Sequence, residues 1–229
     1  MNTLLEKITS RGFWRVVIRP TKFIEKRIPD IASLYPILQK TFVSLRGWDF
    51  PHLDLRNAPT IDIDWVGQEF EWEHHISIWR FFQSGQFVSL TNMPTDWRDQ
   101  SSFWPADEHW KAGNLLGVGD TLFCFTEIFE FAARLSLTDA GDEQMHIGIT
   151  VGNLKGRVLY VDKPQRLPFF DYLYRASIDS FPYSRDLPKS DLIARPRAIA
   201  LDTASELFKR FGWNTTIDLL RDWQGEMIR

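Results

Sequence analysis

From Asn57 to Met93 apolar residues recur at every second position, a period that places side chains on alternate faces of an extended chain and does not fit a helix. Ile61, Ile63 and Trp65 alternate with Asp62 and Asp64. After Gly67 one longer strand is expected to carry Phe70, Trp72, Ile76 and Ile78 on one face, with Glu69, Glu71 and Glu73 on the other. Gln83-Ser84-Gly85-Gln86 then reads as a tight hairpin turn before Phe87-Val88-Ser89-Leu90-Thr91. With Ser84 and Gly85 as the turn residues, Phe82 pairs with Phe87, Phe81 with Val88 and Trp79 with Leu90. Adjacent pairs point to opposite faces, so the hairpin is apolar on both sides near its turn.

Helices and further strands flank this region. Thr3 to Ser10 predicts a short helix, and Phe13 to Arg19 an aromatic and β-branched strand stopped by Pro20. Ile31, Leu34, Ile37, Leu38 and Phe42 follow one helical face between Pro29 and Leu45, although Pro36 interrupts the run. Residues 94–117, with Trp97, Trp104 and Trp110, form a long polar connection with room for a short helix near Pro105 to Lys111. Asp120 is placed to cap a helix from Thr121 to about Leu137, whose Leu122, Phe125, Phe129 and Ala132 share a face. Met145 to Val151 alternates as a strand, Asn153 to Gly156 supplies a turn, and Val158 to Val161 is expected to return beside it.

The expected fold is therefore α+β: an antiparallel sheet with helices on one face, for which the ferredoxin-like (split βαβ) arrangement is a candidate, plus a C-terminal helix pair around Gly212. Residues 1–161 would form the sheet domain, and residues 162–229 a loop-rich segment and helical extension packed on it.

With 44% hydrophobic and 25% charged residues, the composition is that of an ordinary globular protein. No apolar run approaches the roughly 20 residues that span a bilayer, no secretory signal opens the chain, and a cytoplasmic setting without membrane contact is expected. The single cysteine, Cys124, reads as a buried, inert small hydrophobe between Phe123 and Phe125. Charge is unevenly placed. Residues 1–46 hold nine Lys/Arg against three Asp/Glu, a net of +6, whereas residues 47–150 hold five against seventeen, a net of −12. Such asymmetry marks either a polyanion-binding end or two faces that attract one another within or between molecules.

Several groupings could carry chemistry. Asp62, Asp64, Glu71, Glu73 and His75, with Glu69 and His74 nearby, offer oxygen and imidazole ligands for a divalent metal. Same-face neighbours on one strand stand about 6–7 Å apart, so a solvated outer face explains the pattern more simply. Leu115 to Thr121 has only two correctly spaced glycines and no following lysine, which disfavours a phosphate loop. Neither a Gly-x-Ser-x-Gly elbow nor a His-Glu-x-x-His pair occurs, and His52, His109 and His146 stand apart in sequence. Arg15, Arg19 and Lys22 lie among Phe13, Trp14 and Phe23, a composition that suits single-stranded nucleic acid. The helix pair at the C-terminus carries Asp218 and Asp222, a poor complement to DNA. In Ser44 to His52, the residues Arg46, Trp48, Asp49 and His52 could converge as a pocket, or serve as a turn that plugs the core with Trp48.

Two stretches, RGFWRVVIRP (Arg11 to Pro20) and SLRGWDFPH (Ser44 to His52), resemble segments of uncharacterised bacterial proteins. The resemblance covers under a tenth of the chain, implies a bacterial origin and implies no activity.

The leading expectation is a non-catalytic interaction protein or homo-oligomer without a cofactor, anchored on Trp79, Phe81, Val88 and Leu90 of the hairpin. Ten Trp and eighteen Phe are more than one core of this size commonly uses, and such rings anchor interfaces. A nucleic-acid-associated protein using Arg15, Arg19 and Lys22 and a metal-dependent hydrolase using the acidic cluster are the alternatives.

Overall fold

The structure, a computed structural model, describes residues 3–98, 111–162 and 174–228. The connection around Trp104 and Trp110, with its expected short helix and His109, lies outside the described residues.

Seven strands form one wholly antiparallel sheet: β1 (Phe13–Pro20), β4 (Thr60–Ile61), β5 (Trp65–Trp72), β6 (His75–Phe82), β7 (Phe87–Asn92), β9 (Gln144–Gly152) and β11 (Phe181–Pro188). Their spatial order is β11-β9-β1-β7-β6-β5-β4. Helix α2 (Leu34–Thr41) lies in the chain between β1 and β6, while β7 runs antiparallel between those strands. Helix α3 (Val118–Ser136) likewise lies between β7 and β9, with β1 inserted. The four central strands thus make two interleaved split βαβ units, extended at one edge by β4 and β5 and at the other by β11. The fold is α+β.

One face of the sheet is covered by α2, α3 and α5 (Pro196–Lys209), with α4 (Lys189–Ala194) at the β11 end and α6 (Ile217–Met227) packed on α3 and α5. Its side chains are the inward set of each strand: Trp14, Val16 and Ile18; Trp79 and Phe81; Phe87; Met145, Ile147, Ile149 and Val151. They join Phe125, Phe129 and Phe131 of α3 in one core, with Phe131 edge-on to Phe87 and Phe125 edge-on to Trp14. The excess of rings is thus largely absorbed inside the chain. Among the described residues the opposite, outer face is covered only at one end, where α1 (Leu4–Thr9) packs Ile8 against Ile76 and Leu90.

Several local expectations are corrected. The long strand after Gly67 is two strands, because Glu73 adopts φ 53° and turns the chain between Trp72 and His75. The segment after Ile61 is likewise a turn, not a strand, so Trp65 begins the partner strand β5. In the next hairpin Phe81, not Phe82, faces Phe87, and Trp79 faces Ser89. Gly85 at φ 84° closes a loop one residue longer than expected, with Phe82 N–H donating to the Gln86 carbonyl at 2.9 Å. One slipped residue reassigns every pair in the ladder.

Helix α2 starts at Leu34 rather than near Pro29. Pro36 then falls in the first turn, where no intrahelical N–H is needed, and Ile31–Ser33 forms a separate 3₁₀ turn. Helix α3 begins at Val118, three residues before the expected start, so Asp120 sits inside the first turn and is not the cap. The return strand β10 (Val158–Tyr160) pairs in parallel with β8 (Leu115–Gly117), not with β9, whose two edges are taken by β1 and β11. The segment read as loop-rich contains β11, an edge strand that Pro182 and Pro188 disguised.

A buried ion pair joins these parts. Arg157 and Asp96, each with a side chain 2% exposed, bond through Arg157 Nη1 to Asp96 Oδ1 at 2.8 Å, and Nη1 also donates to the Leu115 carbonyl at 3.0 Å. The Gly12 N–H donates to Asp96 Oδ2 at 2.8 Å, and Arg157 Nε to the Asn153 carbonyl at 2.6 Å.

Candidate functional site

On the helix-covered face of β6 and β7 the inward residues change from rings to hydroxyls. Ser77 pairs with Thr91, Trp79 with Ser89, and Trp14 of β1 with Thr91. Three small polar side chains therefore lie among two indoles, where larger residues would have filled the space. The result is a cavity of about 680 Å³, within the range of small-molecule sites, floored by these strands.

One wall is the segment from Val43 to Asp54. The two-residue strands β2 (Val43–Ser44) and β3 (Asp49–Phe50) pair with each other, and Gly47 at φ 79° allows the turn between them. A cis Phe50–Pro51 peptide follows. The Trp48 ring lies parallel to His52, with centroids 4.1 Å apart, and close to parallel to His75 at 4.0 Å. Trp79 Nε1 donates to the His52 carbonyl at 2.9 Å, and Phe50 packs edge-on against Phe87 and Phe131. Burial lowers the pKa of both imidazoles, that of His75 to about 4, so each is neutral at pH 7.

Helix α3 supplies the other wall. Arg46 grips Glu127 with both ends of its guanidinium, Nε to Oε1 at 3.1 Å and Nη2 to Oε2 at 3.0 Å. It also bonds Asp120 and reaches Cys124 Sγ at 3.2 Å. Burial pushes Glu127 up to about 7 against the pull of Arg46, and pushes the Cys124 thiol far above its ordinary range, which leaves that sulfur inert. Asp162 accepts from the Gly119 and Asp120 amides, both at 2.7 Å, and so fills the helix N-terminus with a carboxylate from the chain itself. Burial raises Asp162 to about 6, and burial with Asp162 alongside raises the Tyr160 hydroxyl.

Among the described residues, four buried polar atoms of the cavity lining make no hydrogen bond: His52 Nδ1, Ser77 Oγ, Ser89 Oγ and Arg98 Nε. Glu127 and Asp162, by contrast, have their oxygens committed to Arg46 and to α3. The groups left to meet a bound molecule are thus hydroxyls, a neutral imidazole, the Arg98 guanidinium and aromatic faces.

Arg46, Trp48, Asp49 and His52 all line this cavity. Trp79 and Phe81 are 2% and 0% exposed within the core, whereas Val88 and Leu90 lie on the outer face. The acidic cluster is dispersed. The turn at Glu73 places His75 on the inner face and leaves Glu71 on the outer one, while Asp62 and Asp64 occupy the separate β4–β5 turn. Among the described residues no three His, Cys, Asp or Glu side chains could share a metal ion. Arg15 and Arg19 share the outer face, and Lys22 is exposed in the loop after β1.

Sequence reasoning missed Ser77, Ser89, Glu127 and Asp162. The two serines carried a legible signal, since each is a small polar residue at an inward position between large apolar ones. Glu127 and Asp162 carried none, because their partners lie 81 and at least 42 residues away. No protein-family model, curated protein or solved structure matches the chain. No helix among the described residues is long and apolar enough to cross a membrane.

Proposed function

We propose that the protein binds a compact, ring-bearing polar molecule in this cavity, and that the site holds its ligand without transferring a proton to it. The supporting observation is the set of unpartnered polar atoms beside aromatic rings, on a lining whose Arg46, Asp120, Glu127 and Asp162 are paired within the chain. Each such buried atom costs about 1–3 kcal/mol relative to a bonded one, a penalty a ligand hydroxyl or ring nitrogen removes. Trp14 and Trp79 supply flat apolar faces, and the Ser77 and Ser89 hydroxyls can donate or accept, which suits a neutral heterocycle or a hydroxylated ring. Of the four acids lining the cavity, Asp120, Glu127 and Asp162 are held by their own neighbours, so the geometry favours binding over catalysis.

The test titrates purine and pyrimidine nucleosides, planar heterocycles and small sugars against intrinsic Trp emission and thermal unfolding. At least one class should quench the emission and raise Tm by a few degrees. Ser89→Leu, which fills the floor opposite Trp79, should abolish the response while the variant still melts cooperatively. A panel with no binder, or binding that Ser89→Leu leaves unchanged, overturns the reading.

A further inference from the structure

The outer face of the sheet carries a second, smaller depression, separate from the ligand cavity. About 190 Å³ in volume, it is floored by Ile78, Val88 and Leu90, walled by Leu5 of α1, and flanked by Arg15 and Arg80. Leu5 is 54% exposed. Arg80 is held rigid, stacked 4.4 Å over the Trp65 ring and paired with Glu69 at 2.7 Å. Arg15 is exposed and makes no side-chain hydrogen bond or ion pair among the described residues. The depression is thus an aliphatic seat between two guanidiniums, one of them uncommitted.

A matching projection exists on the same chain. The β4–β5 turn exposes Ile61 (61%) and Ile63 (91%), and Asp62 and Asp64 beside them are exposed too. The turn is firmly anchored: Asp62 N–H donates to the Trp65 carbonyl at 2.9 Å, Gln83 N–H to the Asp64 carbonyl at 2.8 Å, and Ile63 N–H to Asp62 Oδ1 at 2.8 Å. It cannot swing onto its own depression, because β5 and β6 lie between β4 and β7, about 14 Å across at ordinary strand spacing. An isoleucine this exposed on a fixed acidic turn fits a seat of the opposite charge on another molecule.

We propose that the Ile61–Asp64 turn of one copy docks in the outer-face depression of a second copy, with Ile63 seated on Ile78, Val88 and Leu90 and the flanking aspartates meeting Arg15 and Arg80. Arg15 from the basic residues 1–46 and Asp62 and Asp64 from the acidic residues 47–150 then meet across one contact. Turn and seat are different patches, so the pair either closes reciprocally about a two-fold axis or propagates. A single-stranded nucleic acid suits this face less well. Its floor is aliphatic, and among the described residues none lining the depression carries an aromatic ring on which a base could stack.

Sedimentation of the full chain from about 1 μM to about 1 mM covers the range expected of a small interface. The wild type should self-associate, and the association should weaken with added salt. Ile63→Ser, Arg15→Glu and Asp64→Arg should each weaken it about 10-fold or more, with unchanged circular dichroism. Mixing the Arg15→Glu and Asp64→Arg chains should restore association, since each supplies the half the other lacks. A chain that stays monomeric throughout, association indifferent to these substitutions, or a mixture that fails to associate overturns the proposal. Arg15-dependent binding of a labelled single-stranded oligonucleotide by a monomeric chain would also overturn it, in favour of a polyanion partner.

Discussion

Burial raises Glu127 from an ordinary 4.5 to about 7, so between those values the folded chain holds a proton that the unfolded chain has released. The contribution of this residue to stability therefore falls as pH rises through that window. His75 acts in the opposite sense. Its pKa is held down at about 4, so its contribution is complete above its ordinary 6.5 and is lost as pH falls towards 4. Asp162, raised to about 6, adds to the Glu127 trend, so a substitution is needed to isolate Glu127. Glu127→Gln keeps a hydrogen-bonding group beside Arg46 and removes the ionisation. Relative to the wild type it should gain about 1–3 kcal/mol between about pH 5 and about pH 8, read from urea midpoints. An equal midpoint difference at both pH values would show that Glu127 stays ionised throughout.

The hairpins show why elements were easier to foresee than their register. Period-two alternation located β6 and β7, but alternation cannot distinguish a two-residue loop from one a residue longer. That single residue decides whether Trp79 faces Leu90 or Ser89. Gly85 settles it. Its φ of 84° requires a glycine, and a Cβ there would stand 2.6 Å from the Ala140 carbonyl oxygen. Gly85→Ala should therefore cost more than Gly212→Ala, which shares the positive φ but meets no atom within 4 Å. We expect about 1 kcal/mol for Gly212→Ala and at least twice that for Gly85→Ala in denaturant unfolding. Similar costs at the two sites would mean the hairpin loop relaxes freely. Strand β11 went unforeseen for a different reason: an edge strand facing solvent on one side carries Ser184, Arg185 and Asp186 at positions where a central strand would be apolar.

Across the whole molecule, local patterns recovered the class of fold and one wall of the cavity, the Arg46–His52 segment. The rest of the site depends on contacts between distant residues, which no local pattern encodes: Arg46 with Glu127, and Asp162 with the start of α3. The buried Arg157–Asp96 pair belongs to this second kind and has a consequence for how the fold comes apart. Asp96 anchors the Gly12 turn that opens β1, and Arg157 anchors β8, so the small parallel ribbon and the large sheet share one uncompensated charge if they separate. Native-state hydrogen exchange should then show the amides of Leu115, Val158 and Val16 opening with a common free energy. Asp96→Asn strands Arg157 at a cost of about 3–5 kcal/mol and should split that single transition, releasing the ribbon first. Exchange that is already separate in the wild type would refute the coupling. The pair acts as a shear pin: it obliges two sheets that, among the described residues, share no backbone hydrogen bond to unfold as one cooperative unit.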